Sequence, residues 1–100
     1  MDPDLSDLTI ADVVLSTAGR DAGDLFYVLE ADDTWLSLVN GKDRTIEKPK
    51  RKKCKHTKKV LRSETRVAEK LRAGDKVLNS ELRRDLAYLA GNCKVSNLGG

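Results

Sequence analysis

The chain predicts a mainly β fold: a small antiparallel β-barrel followed by a C-terminal helical hairpin. Three observations carry that expectation. Short β-branched and aromatic runs recur between residues 13 and 48. The turns between them are only a few residues long, which leaves no room for the helical crossovers of a parallel sheet. Past residue 63 the apolar spacing changes to a helical one. At 100 residues the chain has the length of one compact domain.

Taken in order, residues 1–9 read as a flexible leader or a weakly paired strand. Val13-Val14-Leu15 is a first strand, bounded by Ser16-Thr17-Ala18-Gly19. Residues 19–24 hold two glycines and three charges, which is turn chemistry. Residues 25–31 form a second strand, Asp32-Asp33 a tight turn, and 34–39 a third strand. Asn40-Gly41 is a strong hairpin signal, because both residues tolerate positive φ. Residues 44–48 alternate as a fourth strand, which Pro49 ends or marks as an edge. The barrel domain is placed at 10–62. A helical hairpin follows at 63–90: Val67, Ala68 and Leu71 share one face of a helix that Gly74 stops. Asn79 or Ser80 caps the second helix, Leu82, Leu86 and Leu89 line it, and Gly91 follows its end. Residues 91–100 read as a frayed tail.

Charge is the second level of organisation. The composition is 35% charged against a usual share of about 25%. The net charge of +3 hides a strong asymmetry. Residues 1–33 carry nine acidic side chains and one basic, whereas residues 42–62 carry eleven basic and two acidic. The apolar runs are too short to span a membrane, so no membrane partner is expected. The start, MDPDLSDL, lacks the positive and apolar regions of a secretory signal. The two cysteines, Cys54 and Cys93, make no disulfide framework, and a cytoplasmic location with reduced thiols is expected.

The stretch from Val14 to Leu29, with its loop Arg20-Asp21-Ala22-Gly23-Asp24, looks like a KOW motif: a strand, a charged loop ending in a required glycine (here Gly23), and a second strand. The continuation through Asn40-Gly41-Lys42 and Lys48-Pro49-Lys50-Arg51-Lys52-Lys53-Cys54-Lys55-His56 resembles the small bacterial KOW-domain RNA-binding proteins. Those are relatives of the archaeal and eukaryotic large-subunit ribosomal proteins of the fourteen-e, six-e and twenty-seven-e group. The tail Lys76–Arg83 looks like that of the bacterial members, and the likeness covers about residues 12–90. The resemblance implies an SH3-like barrel, and RNA, expected to be ribosomal, as the partner in translation or ribosome assembly. One departure matters: many such loops carry lysine where this chain has Ala22 or Asp24. Phosphate contact therefore shifts towards residues 48–62.

The candidate RNA contacts are Arg20, Lys42, Arg44, Lys48, Lys50, Arg51, Lys52, Lys53, Lys55, His56, Lys58 and Lys59. A cluster of cations neutralises phosphates and releases condensed counterions, so binding weakens with salt. Arg20 is the only cation of the first thirty-three residues, placed either to meet phosphate or to pair with Asp21 or Asp24. Trp35, Tyr27 and Phe26 are possible stacking platforms. With four aromatics in the chain, core packing is the better expectation: Phe26 inside, Tyr27 open, Trp35 in the core or at the rim. Cys54-x-His56 with Cys93 is too sparse for a zinc site, and Cys54 among so many cations is expected to have thiolate character. No nucleophile elbow, P-loop or His-Glu-x-x-His motif is present, so the expectation is a non-enzyme without cofactor or small-molecule substrate. The alternative is a KOW-type protein-interaction module contacting RNA polymerase or ribosomal proteins. In that case the acidic first third (Asp2, Asp4, Asp7, Asp12) meets a basic partner or folds back to mask the basic segment.

Overall fold

A computed structural model describes residues 8–99. Five antiparallel strands, β1 (Asp12–Ser16), β2 (Leu25–Ala31), β3 (Trp35–Val39), β4 (Lys50–Lys53) and β5 (Thr57–Arg62), form one sheet in the order β4-β3-β2-β1-β5. A single 3-10 turn, Cys54–His56, joins β4 to β5. Two helices follow, α1 (Arg66–Ala73) and α2 (Asn79–Gly99). Among the described residues no rung pairs β4 with β5, so the sheet is open rather than closed. Among them, too, no helix is long and apolar enough to cross a membrane.

The strands carry continuous apolar runs because both faces of the sheet are covered. Successive side chains on a strand point to opposite faces. Val14, Phe26, Val28, Leu36 and Leu38 enter one core, with Leu8 and Cys54. Their neighbours Val13, Tyr27 and Val39 enter the other, against Val67, Ala68 and Leu71 of α1 and Leu82, Leu86 and Leu89 of α2. Burying a leucine such as Leu82 completely contributes about 1.5–3 kcal/mol. The helical hairpin thus settles the question left open at Phe26 and Tyr27: both are buried, one on each side. The hydroxyl of Tyr27 meets Asp85 of α2, Ser63 and Thr65. Burial first, and the Asp85 contact second, push the phenol up to about 12.

Four expectations are corrected. Residues 44–48 are not a strand. The Asn40 Oδ1 accepts the N–H groups of Lys42 and Arg44, each at 2.9 Å, and so opens the hairpin into a wide loop. Pro49 accordingly precedes the fourth strand instead of ending it. A fifth strand occupies residues 57–62, within the basic segment; its alternation is half-buried against exposed and is hidden by lysines. The second helix runs through Gly91 to Gly99, since one helical glycine costs only about 1 kcal/mol. Asn79 and Ser80, the two expected caps, both lie inside that helix, which begins at Asn79. The Asn79 amide serves the 40–49 loop, accepting from Ile46 N at 2.9 Å and donating to Glu47, while Glu81 accepts the Leu78 N–H. Of the expected leader, residues 1–7 lie outside the described residues, and Leu8 is buried in the sheet core.

The helix ends follow local chemistry. Thr65 caps α1 by accepting the Ala68 N–H, and Gly74 at φ 77° closes it. Gly41, also at positive φ, is where α2 crosses the loop. A Cβ there would run into the Asn79 carbonyl and stand 2.9 Å from Leu82 Cβ. Arg83 donates to the Gly41 carbonyl at 2.7 Å and holds the crossing.

Candidate nucleic-acid interface

The β1–β2 loop is a closed hairpin end. Ser16 N donates to the Asp24 carbonyl at 3.0 Å, and Gly23 N to the Ser16 carbonyl at 2.8 Å. Gly19 and Gly23 both take positive φ, which the turn requires. The loop folds Asp21 back towards the sheet. There its carboxylate accepts from Ser16 Oγ at 2.8 Å and from Lys52 Nζ at 2.7 Å, with Lys50 Nζ at 2.9 Å. Burial pushes the Asp21 carboxyl upward, but the hydrogen bonds from Lys52, Lys50 and Ser16 outweigh it. The group is held well below the usual carboxylate range.

Lys52 is spent on this arrangement. Its side chain is 8% exposed. Its ammonium donates to Ser16 Oγ, the Ala18 carbonyl and Asp21, which uses all three of its protons. Of the expected contacts, Lys52 therefore has no proton free for phosphate, and Lys50 is half-committed to Asp21. Lys59, likewise, lies 3.5 Å from the buried carboxylate of Asp12. Of the acidic residues expected to meet a basic partner or fold back on the basic segment, Asp12 lies against Lys59 within the sheet, and Asp2, Asp4 and Asp7 lie outside the described residues; Asp21 also pairs with that segment, through Lys50 and Lys52.

The outward face of the β3–β4 edge is different. Arg51 and Lys53 alternate with Lys50 and Lys52 along β4, so they point the other way. Both stand over the ring of Trp35 on β3, with Arg51 Cζ 5.2 Å and Lys53 Nζ 5.6 Å from its centroid. Trp35 pairs across the strands with Lys53 and is 36% exposed. Exposed cation–π contacts of this kind contribute about 0.5–1 kcal/mol each.

Lys55 and His56 sit in the 3-10 turn, where Thr17 N donates to the His56 carbonyl at 2.9 Å. That bond places the turn beside the β1–β2 loop. Arg20 is exposed in that loop and forms no ion pair among the described residues, so it pairs with neither Asp21 nor Asp24. Lys58 is exposed on β5. Lys42, Arg44 and Lys48 are exposed on the 40–49 loop, which the antiparallel register sets at the same end of the sheet as loop 17–24. A groove of about 570 Å³ runs between these two loops and α2, with an apolar floor that includes Leu25, Val60 and Leu86.

One site feature escaped the sequence reading and another was left open. Asp21 is the anchor of the loop, and of the two places expected for Trp35, core or rim, the ring takes the rim, where it is 36% exposed under two cations. The signal for Trp35 was its place directly after the Asp32-Asp33-Thr34 turn, as the first residue of its strand. Cys54 reverses its expectation: burial, then the Asp32 carboxylate, push its thiol up, so it is held as a thiol. Among the described residues no cluster of three His, Cys, Asp or Glu side chains could hold a metal. Compared with known families and with curated proteins, the chain finds no match.

Proposed function

We propose that this chain is a non-catalytic RNA-binding domain of the KOW type, built as a partly open SH3-like barrel, that takes ribosomal RNA through its outward-facing cations. The barrel reading is supported by the strand order and by the single 3-10 turn joining the two edge strands, which bends the sheet towards closure. The observation that carries the RNA reading is the division of β4. Arg51 and Lys53 stand over Trp35 on the outer face and form no ion pair among the described residues, while Lys50 and Lys52 face Asp21. With Arg20, Lys55 and Lys58 the outward set supplies five exposed or half-exposed cations. Five phosphate contacts to single-stranded RNA correspond to a salt slope of roughly −3.5. The location that goes with this reading is the cytoplasm.

The test is a filter-binding titration of the full chain with ribosomal RNA at several salt concentrations. Binding is expected to weaken steeply with salt and to collapse when Arg20, Arg51, Lys53, Lys55 and Lys58 all become Gln. Binding that is indifferent to salt and to that substitution set would remove the reading.

A further inference from the structure

We propose that Trp35 is the platform on which one unpaired base of the RNA stacks, so that the ligand is single-stranded rather than duplex RNA; this rests on the RNA-binding reading above. Phe26 and Tyr27 are buried, so among the strand aromatics only Trp35 offers a ring to a ligand. The backbone that carries the ring is held by Asp32. Trp35 N donates to Asp32 Oδ1 at 2.7 Å, and its carbonyl accepts from Asp32 N at 2.9 Å. Little backbone freedom is therefore left to lose on binding.

Beside the ring lies a hollow of about 400 Å³, bordered by Glu30, Asp32, Ser37 and Arg51. Its chemistry sorts the two parts of a nucleotide. The carboxylates of Glu30 and Asp32 repel phosphate, and they accept hydrogen bonds from the amino groups on a base edge. Hydrogen bonds from the backbone of Trp35 and Thr34 lower the Asp32 carboxyl, which keeps it ionised and accepting only. Arg51 and Lys53, already over the ring, are placed to take the phosphate that follows the base. A base–aromatic stack is stronger than an exposed cation–π contact, so the base displaces a cation from the ring without losing its charge from the site. A base inside a duplex has both faces covered and cannot make this contact.

Trp35 is the only tryptophan of the chain, so emission excited at wavelengths that tryptophan absorbs and tyrosine does not reports on this site alone. The full-length protein is titrated with a single-stranded ribosomal RNA oligonucleotide and with the same oligonucleotide annealed to its complement. The single strand is expected to quench the emission and the duplex to leave it nearly unchanged. Trp35→Ala is expected to weaken single-strand binding about tenfold. It should keep the salt slope, because the phosphate contacts survive. Trp35→Phe, which retains a ring, should stay close to wild type and controls for folding. Salt-dependent RNA binding without quenching, or a Trp35→Ala variant that binds like wild type, would overturn the stacking site and leave the RNA reading standing. No binding to either RNA at low salt would overturn both.

Discussion

The two faces of β4 carry the same kind of residue and do different work. Lys50 and Lys52 point towards the β1–β2 loop and are tied to Asp21 at 2.9 and 2.7 Å. Arg51 and Lys53, one residue away in each case, point outward over Trp35. A run of four cations is thus not a uniform basic patch. The two-residue period of a strand divides it into a pair that fastens a loop and a pair that stands over an exposed ring. Charge counting treats all four alike, whereas the fold ties one pair to Asp21 and sets the other over Trp35.

The largest effect expected from this division is on the inner pair. Lys52→Ala leaves Asp21, Ser16 and the Ala18 carbonyl without their shared donor. Removing one partner of so buried a pair costs about 3 kcal/mol. For a domain of this size a thermal melt should then fall by at least about 12 °C. Asp21→Asn comes next, at about 2 kcal/mol at neutral pH, from the weakened hydrogen bonds to a charged group. Its pH dependence identifies the cause. The folded Asp21 carboxyl titrates below its unfolded value of about 3.9, so its stabilisation is complete above that pH and drains as pH falls towards the folded value. The gap in melting temperature between wild type and Asp21→Asn should therefore narrow as pH drops below about 4.

The outer pair should matter less to the fold. Replacing Arg51 and Lys53 together by Gln is expected to cost no more than their two contacts with Trp35, about 1–2 kcal/mol in a denaturant titration. The smallest effect is expected at Arg62, whose partner Glu64 is 3.5 Å away and 76% exposed. Arg62→Gln should leave the denaturation midpoint unchanged to within about 0.5 kcal/mol. A large loss of stability from either of these changes would erase the distinction between the two faces.

Much of this was legible in the residues. The first three strands, the Asp32-Asp33 turn and the first helix with its Gly74 stop follow from local apolar runs and turn chemistry, and they stand where those signals put them. The fourth and fifth strands did not announce themselves. Lys50–Lys53 and Thr57–Arg62 carry lysines where strand propensity favours β-branched residues, and only tertiary pairing with β3 and β1 makes them strands. The Asn40-Gly41 signal correctly marked a reversal. Asn40 itself widens the turn, but the path of the loop beyond Arg44 is held by a contact no local rule contains, the docking of Asn79 on Ile46 and Glu47. The basic segment was plain as a cluster of cations, yet which of them face outward depends on the strand register. That register places Trp35 opposite Lys53. The role of Asp21 rests on side chains thirty residues apart and has no local signature.

The most direct test of the division is the slope of log binding constant against log salt for single-stranded ribosomal RNA, measured on wild type and on the Arg51→Gln, Lys53→Gln double variant. The account predicts a wild-type slope of roughly −3.5 that becomes less steep by about 1.4 in the variant, since two phosphate contacts are lost while the fold is kept. A variant slope equal to that of wild type would contradict it.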